Sequence, residues 1–185
     1  MADLKISQLS AVTTPMAGTE QVPVVQSGST KKATVADFLC GPLAQAYQSS
    51  AQTLTSATTT LIEFQTELYD TNGCFNNTAS SVTLNGLTAP AYSFTPNRAG
   101  WYQVSAGLTM GALASCMTIS IYKNGASAKL LTVTEPLYST YGEYGSGLIY
   151  LNGTGDYIQI YGNLQAGQAL STGSNATYFD VAQVR

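Results

Sequence analysis

The sequence predicts a mainly β protein: an antiparallel jelly-roll sandwich preceded by an extended N-terminal arm and a short helix. Three observations predict it. Period-two alternation of apolar and polar residues recurs through residues 58–185. Turn signals separate the alternating runs: Asn72-Gly73, Asn85-Gly86, Asn97-Arg98-Ala99-Gly100, Asn124-Gly125 and Asn152-Gly153-Thr154-Gly155-Asp156. Helical spacing is confined to residues 34–57.

Residues 1–33 read as an extended arm. Leu4, Ile6, Leu9 and Val12 come singly among Ser, Thr, Pro and Gly, so no helical stripe forms. Val22-Pro23-Val24-Val25, followed by Gln26-Ser27-Gly28-Ser29-Thr30, predicts a short extended piece and a tight turn. Pro23 confines any strand there to a sheet edge. Such an arm gains order mainly by lying on something else.

Residues 34–57 are the helical linker. Thr34-x-x-Asp37 has capping-box spacing, with Asp in place of the usual Glu, and Val35, Phe38 and Leu39 follow on one side. Gly41-Pro42 interrupts it, and Pro42 can open a second helix carrying Leu43, Ala46, Tyr47, Ala51 and Leu54 on one narrow stripe. Two readings stand for this stripe, a short trimeric stalk or a helix packed on its own domain.

The body, 58–185, alternates strand upon strand. Ile62, Phe64, Thr66 and Leu68 share one phase, while Glu63, Gln65 and Glu67 take the other. The pattern returns in 101–110, 117–122, 147–151, 157–161 and 178–184. Opposite the aliphatic core phase, these runs carry Trp101, Tyr157, Tyr161 and Tyr178 instead of Lys or Glu, and Leu148-Ile149-Tyr150-Leu151 is apolar on both faces. A solvated antiparallel sheet normally puts charge there, whereas aromatic residues in place of charge are typical of a subunit interface. Trp101, Tyr150, Tyr157, Tyr161 and Tyr178 are therefore the expected interface residues of a homo-oligomer.

Composition narrows function. Of 185 residues only 7 are Lys or Arg and 10 Asp or Glu, 9% charged in all, and there is no histidine. Ordinary soluble domains carry about 25%. Nothing beyond Lys31-Lys32 offers the basic cluster that phosphate neutralisation needs, which argues against a nucleic-acid partner. The lack of imidazole removes Ser-His-Asp and Cys-His nucleophiles and His-ligated zinc. Glu63 and Glu67, four apart along a strand, would lie about 13 Å apart, too far for a glycosidase pair. The expectation is a protein that is not an enzyme and needs no cofactor. Cys40, Cys74 and Cys116 have no recurring spacing and read as reduced thiols. The start lacks an apolar signal core, so the expected place of synthesis is a cytoplasm, with no membrane partner.

Phe94-Thr95-Pro96-Asn97-Arg98-Ala99-Gly100-Trp101-Tyr102 is similar to the "FTP-x-x-x-G-x-Y" step of the complement/tumour-necrosis-factor jelly rolls. Ile121-Tyr122-Lys123-Asn124-Gly125 follows, and Leu151 to Ile158 resembles the family's "L-x-x-GD-x-I" turn, with Tyr178-Phe179 opening the last strand. This resemblance covers 58–185 and implies a homotrimer whose termini lie toward one end. Asp156 in that turn reads as a turn carboxylate rather than a ligand.

A second resemblance covers residues 4–39. Lys5-Ile6-Ser7-Gln8-Leu9, then 18–26, then Thr30 to Leu39, resembles the N-terminal segment of many tailed-bacteriophage fibre, head-fibre and decoration proteins. It implies a virion-attachment arm contacting a major capsid protein through Ile6, Leu9, Val22, Val24, Val25 and Phe38. A helix of about twenty residues spans only about 30 Å, too short for a fibre shaft. The expectation is a capsid decoration (cement) or head-fibre trimer located on the virion. The alternative is a short tail fibre or tip protein, held by a tail or baseplate protein and binding a host glycan or surface receptor. Trp101 and Tyr141 are aromatic side chains able to stack on sugar rings, but both read first as packing residues.

Overall fold

A computed structural model describes residues 19–35, 41–115, 117–133, 139–165 and 167–184. The chain forms two compact units, Met1–Gly41 and Pro42–Arg185. In the first, β1 (Gln21–Gln26) and β2 (Ser29–Thr34) make a two-stranded antiparallel hairpin. Ser27 and Gly28 turn it with φ of 53° and 73°, the paired positive values of the type I′ turn that fits strand twist. Pro23 pairs opposite Lys32.

The second unit carries β3 (Leu43–Tyr47), β4 (Thr53–Leu54), β5 (Thr60–Leu61), β6 (Thr66–Asp70), β7 (Phe75–Asn76), β8 (Val82–Leu84), β9 (Leu87–Ala89), β10 (Ser93–Phe94), β11 (Gly100–Ser115), β12 (Met117–Lys123), β13 (Ala126–Val133), β14 (Ser139–Leu151), β15 (Ile158–Leu164), β16 (Gln168–Ala169) and β17 (Tyr178–Val184). A five-stranded sheet runs β14-β11-β17-β3-β6. Facing it, a second sheet runs β13-β12-β15-β10-β7, with β5 pairing β15 off that path. Every ladder between named strands is antiparallel. The mainly β, antiparallel jelly-roll prediction holds.

The alternation read from the sequence explains the core. On β11, Tyr102, Val104, Ala106 and Leu108 are buried, and they meet Ile119, Ile121, Ile158 and Ile160 from the second sheet in one hydrophobic cluster. Burying each large side chain contributes about 1.5–3 kcal/mol. Phe179 stacks on Phe75 at a centroid distance of 5.5 Å and meets Phe64 tilted at 5.8 Å. Tyr102 remains affordable in this core because its hydroxyl donates to the Arg98 carbonyl at 2.7 Å. Two predicted Asn-Gly turns close the β8–β9 and β12–β13 hairpins, with Asn85 and Asn124 at φ of 51° and 53°.

Two expectations are corrected. The helical linker is not what residues 43–57 form: Leu43–Tyr47 is strand β3, inserted between β17 and β6. Its small residues decide this. Ala44 and Ala46 face the core at 1% and 0% exposure, with Leu43, Gln45 and Tyr47 on the other face. Within 43–47 the alternation of Ala44 and Ala46 with Leu43, Gln45 and Tyr47 also fits a strand, and pairing with β17 selects it. The jelly-roll unit accordingly begins at Pro42 rather than residue 58. Val35 alone is helical at its described end, and 36–40, with Phe38, lie outside the described residues.

The single strand expected over 58–70 is two. β5 pairs in one sheet and β6 in the other, so the segment between them crosses over. Ile62 and Phe64 are buried as expected, but Leu68 is 50% exposed. It falls where the β3–β6 register shifts, between Glu67 and Tyr69, and the bulge turns it out of phase.

Candidate functional site

The five-stranded sheet buries one face in the core and leaves the other outward. Its registers place that outward face in rows. Tyr150, Trp101 and Val184 form the first, and Leu148, Gln103, Ala182 and Leu43 the second. Ser146, Ser105, Asp180, Gln45 and Tyr69 form the third, and Tyr144, Gly107, Tyr178, Tyr47 and Thr66 the fourth. Asp180 is the one charged side chain in these four rows.

Large apolar surface is open at both ends of the face. Trp101 is 55% exposed and Tyr150 45% exposed, meeting edge to face at a centroid distance of 5.8 Å. In the fourth row Tyr144 and Tyr178 stack at 6.2 Å. Gly107 permits this, because a Cβ there would run into both rings. Thr109 Oγ1 lies 3.0 Å from the Tyr144 hydroxyl, which helps set that ring.

A shallow depression of about 180 Å³ lies between the rows, lined among others by Leu43, Tyr69, Gln103, Ser105, Asp180 and Ala182. Asp180 Oδ1 is buried there without a hydrogen-bond partner among the described residues. Burial pushes the Asp180 carboxyl above the usual Asp range, against the opposing effect of a hydrogen bond from Gln45. Burial likewise raises the Tyr178 hydroxyl, with Asp180 and Tyr144 adding to it. Between its unfolded and folded pKa values, a raised carboxyl keeps in the folded chain a proton that the unfolded chain has released. Stability from Asp180 is therefore present below its unfolded pKa and falls as pH rises toward the folded one. Asp180→Asn is expected to be more stable than wild type in urea melts at pH 7, the gap closing near pH 3.5, below the ordinary Asp value of about 3.9. An equal gap at both pH values would contradict this.

Three of the five expected interface residues, Trp101, Tyr150 and Tyr178, share this face. Tyr157 and Tyr161 do not: Tyr161 is on β15, and Tyr157 immediately precedes it, in the opposite sheet. Tyr161 stacks on Tyr122 at 4.0 Å on that sheet's own outer face. Alternation reports which side of a strand a residue takes but not which sheet the strand joins. Tyr47 and Tyr69 were hidden by the misread segments. Tyr144 was within reach, since the 147–151 alternation continues back through Ser146 to Tyr144.

Asp156 is a structural hub. It accepts from Asn152 N at 2.9 Å and Asn124 Nδ2 at 2.8 Å, and pairs with Lys123 Nζ at 2.8 Å. Burial acts to raise this carboxyl, but the bonds from Asn124, Lys123 and Asn152 outweigh it and hold the group below the usual range. The turn at Asn124 and the turn at 152–156 are thereby clipped together, with Tyr157 N donating to Asn124 Oδ1 at 3.0 Å. Cys74 is a free buried thiol, pushed up to about 11 chiefly by burial; Cys40 and Cys116 lie outside the described residues.

Of the expected attachment residues, Ile6 and Leu9 also lie outside the described residues. Val22 and Val24 alternate onto one face of the arm hairpin, and Val25, 76% exposed, onto the other. Tyr141, the other aromatic proposed for sugar stacking, is 58% exposed.

No protein-family model matches this chain, and no curated protein matches its sequence. Solved structures do match. The crystal structure of murine APRIL at pH 8.0 superposes with a TM-score of 0.55 at 11% identity, covering 77% of this chain and 98% of that one. The murine APRIL structure at pH 8.5 gives 0.52 at 11% identity, with the same coverage. The jelly-roll unit thus has a tumour-necrosis-factor-like fold.

Proposed function

We propose that the protein is a homotrimeric structural component of a tailed-bacteriophage virion, a capsid decoration or head-fibre protein held to the particle by its N-terminal arm. The observation that carries the reading is the outward face of the five-stranded sheet, with a single charged side chain in its four rows and aromatic pairs at both ends. Exposed as a monomer, such a face is a liability; packed against two further copies it is an interface core. Closed rotational symmetry satisfies a self-associating face without leaving an open end.

The arm supports the location. Only the stretch 35–41 separates β2 from the first residue of the jelly-roll unit, too little for a shaft. A trimer so built remains close to what holds it, as a cement or head-fibre protein does. Its arm sequence is similar to attachment segments of phage structural proteins, and its scarcity of charge suits a chain that buries surface on assembly.

Cryo-electron microscopy of the phage carrying this chain tests the reading. Trimeric density on threefold or quasi-threefold capsid positions is expected. Density at the tail would overturn the decoration role in favour of a receptor-binding fibre, and a particle lacking the chain would overturn both.

A further inference from the structure

The arm hairpin has two edges, and they are not equivalent. Val35 N donates to Glu20 O at 2.9 Å, continuing the ladder beyond the strand ends. With the closing pair Gln26/Ser29 across a two-residue turn, hydrogen-bonded pairs fall at Val24/Lys31 and Val22/Ala33. The intervening residues, Gln21, Pro23 and Val25 on β1 and Thr30 and Lys32 on β2, point their backbone groups outward.

Pro23 sits in the middle of the β1 edge and has no N–H to give, which blunts that edge against pairing. The β2 edge is intact. Thr30 and Lys32 are both exposed, and each turns one N–H and one C=O away from the hairpin. An isolated two-stranded hairpin is marginal in water and gains most from a third strand. Side-chain alternation puts Lys31 on one face of β2 and Lys32 on the other, so cations flank on both sides an edge that pairs with no other strand among the described residues.

We propose that the arm attaches by strand addition, pairing the Thr30–Lys32 edge of β2 with an extended, acidic segment of the capsid protein. Main-chain hydrogen bonds supply the affinity, as in other strand-addition complexes. Carboxylates opposite the two lysines select the partner, since opposite charges across a ladder are favoured and like charges are not. This rests on the attachment role proposed above.

The test uses full-length protein and particles purified from phage lacking its gene. Wild type is expected to bind. Thr30→Pro and Lys32→Pro each delete one outward N–H without touching a ladder bond, and are expected to lower the bound fraction at least tenfold. Gln21→Pro, the same change on the β1 edge, is expected to bind as wild type. Lys32→Gln keeps the N–H and is expected to weaken binding only a few-fold while flattening its salt dependence. Hydrogen exchange of wild type provides a readout free of folding effects: the Thr30 and Lys32 amides become protected on particle binding while Gln21 and Val25 do not. If deletion of residues 1–41 leaves binding intact, the attachment role itself fails. If that deletion abolishes binding but both β2 proline variants bind normally, or if the Thr30 and Lys32 amides gain no protection, strand addition through β2 is overturned and the attachment role stands.

Discussion

Trp101→Glu combined with Tyr150→Glu is expected to convert the proposed trimer into a folded monomer. The two rings sit edge to face at the end of the outward sheet face and are 55% and 45% exposed in the isolated protomer. Their replacement disturbs no core residue, and the protomer is expected to keep its stability to within about 1 kcal/mol. In the proposed assembly the same positions would be aromatic anchors, each contributing about 2 kcal/mol or more. Loss of both weakens association at least about a thousandfold, and two carboxylates brought toward an apolar interface add a desolvation cost. Sedimentation velocity at micromolar concentration, with circular dichroism to verify folding, reads the result. A double variant that sediments as a wild-type trimer would place the interface elsewhere. The opposite sheet, with Tyr122 and Tyr161 stacked on its outer face, would then be the surface to test.

Gly153→Ala is expected to cause the largest loss of protomer stability. Gly153 adopts φ of 71°, and a Cβ at this position would collide with the backbone of Arg98 and Ala99. The left-handed conformation costs a side-chain-bearing residue about 1–2 kcal/mol, and overpacking against backbone, which cannot swing aside as a side chain can, adds about 1–3 kcal/mol. Together these amount to roughly 2–5 kcal/mol, or about 10 °C in melting temperature for a domain of this size. The loss reaches the Asp156 hub, because Asn152 both donates its N–H to Asp156 and accepts from Thr154 N and Asp156 N through its side chain. A control at Gly155, whose Cβ would meet nothing but whose φ of 154° is unusual for an L-residue, separates conformational strain from collision. Gly155→Ala should cost less, and equal melting temperatures for the two variants would refute the packing argument.

Particular residues show how far the sequence reached. The Asn85 and Asn124 turns were legible because a two-residue hairpin turn needs left-handed conformations that Asn and Gly adopt most readily. The β11 core phase was legible because Val104, Ala106 and Leu108 alternate without interruption. Asp156 was legible as a turn residue, although its bonds to Asn124 and Lys123, more than 30 positions away in the chain, were not. Residues 43–47 were misread because Leu43, Ala46 and Tyr47 fall at helical spacing while Ala44 and Ala46 alternate with Leu43, Gln45 and Tyr47 at strand spacing, and five residues are too few to separate the two.

What the sequence determined by itself was local: period-two strands, their turns, the extended piece around Pro23 and the tight turn after it, and an outer phase rich in aromatic residues. Those follow from backbone conformation and side-chain alternation, which act between near neighbours. Only the tertiary structure decided which strands share a sheet. That choice put Trp101, Tyr150 and Tyr178 together with Tyr47, Tyr69 and Tyr144 and sent Tyr157 and Tyr161 to the other side. The reason is physical: strand order is set by long-range burial and by the pairing of open edges such as that of β17, and neither leaves a trace in the spacing of residues along one strand.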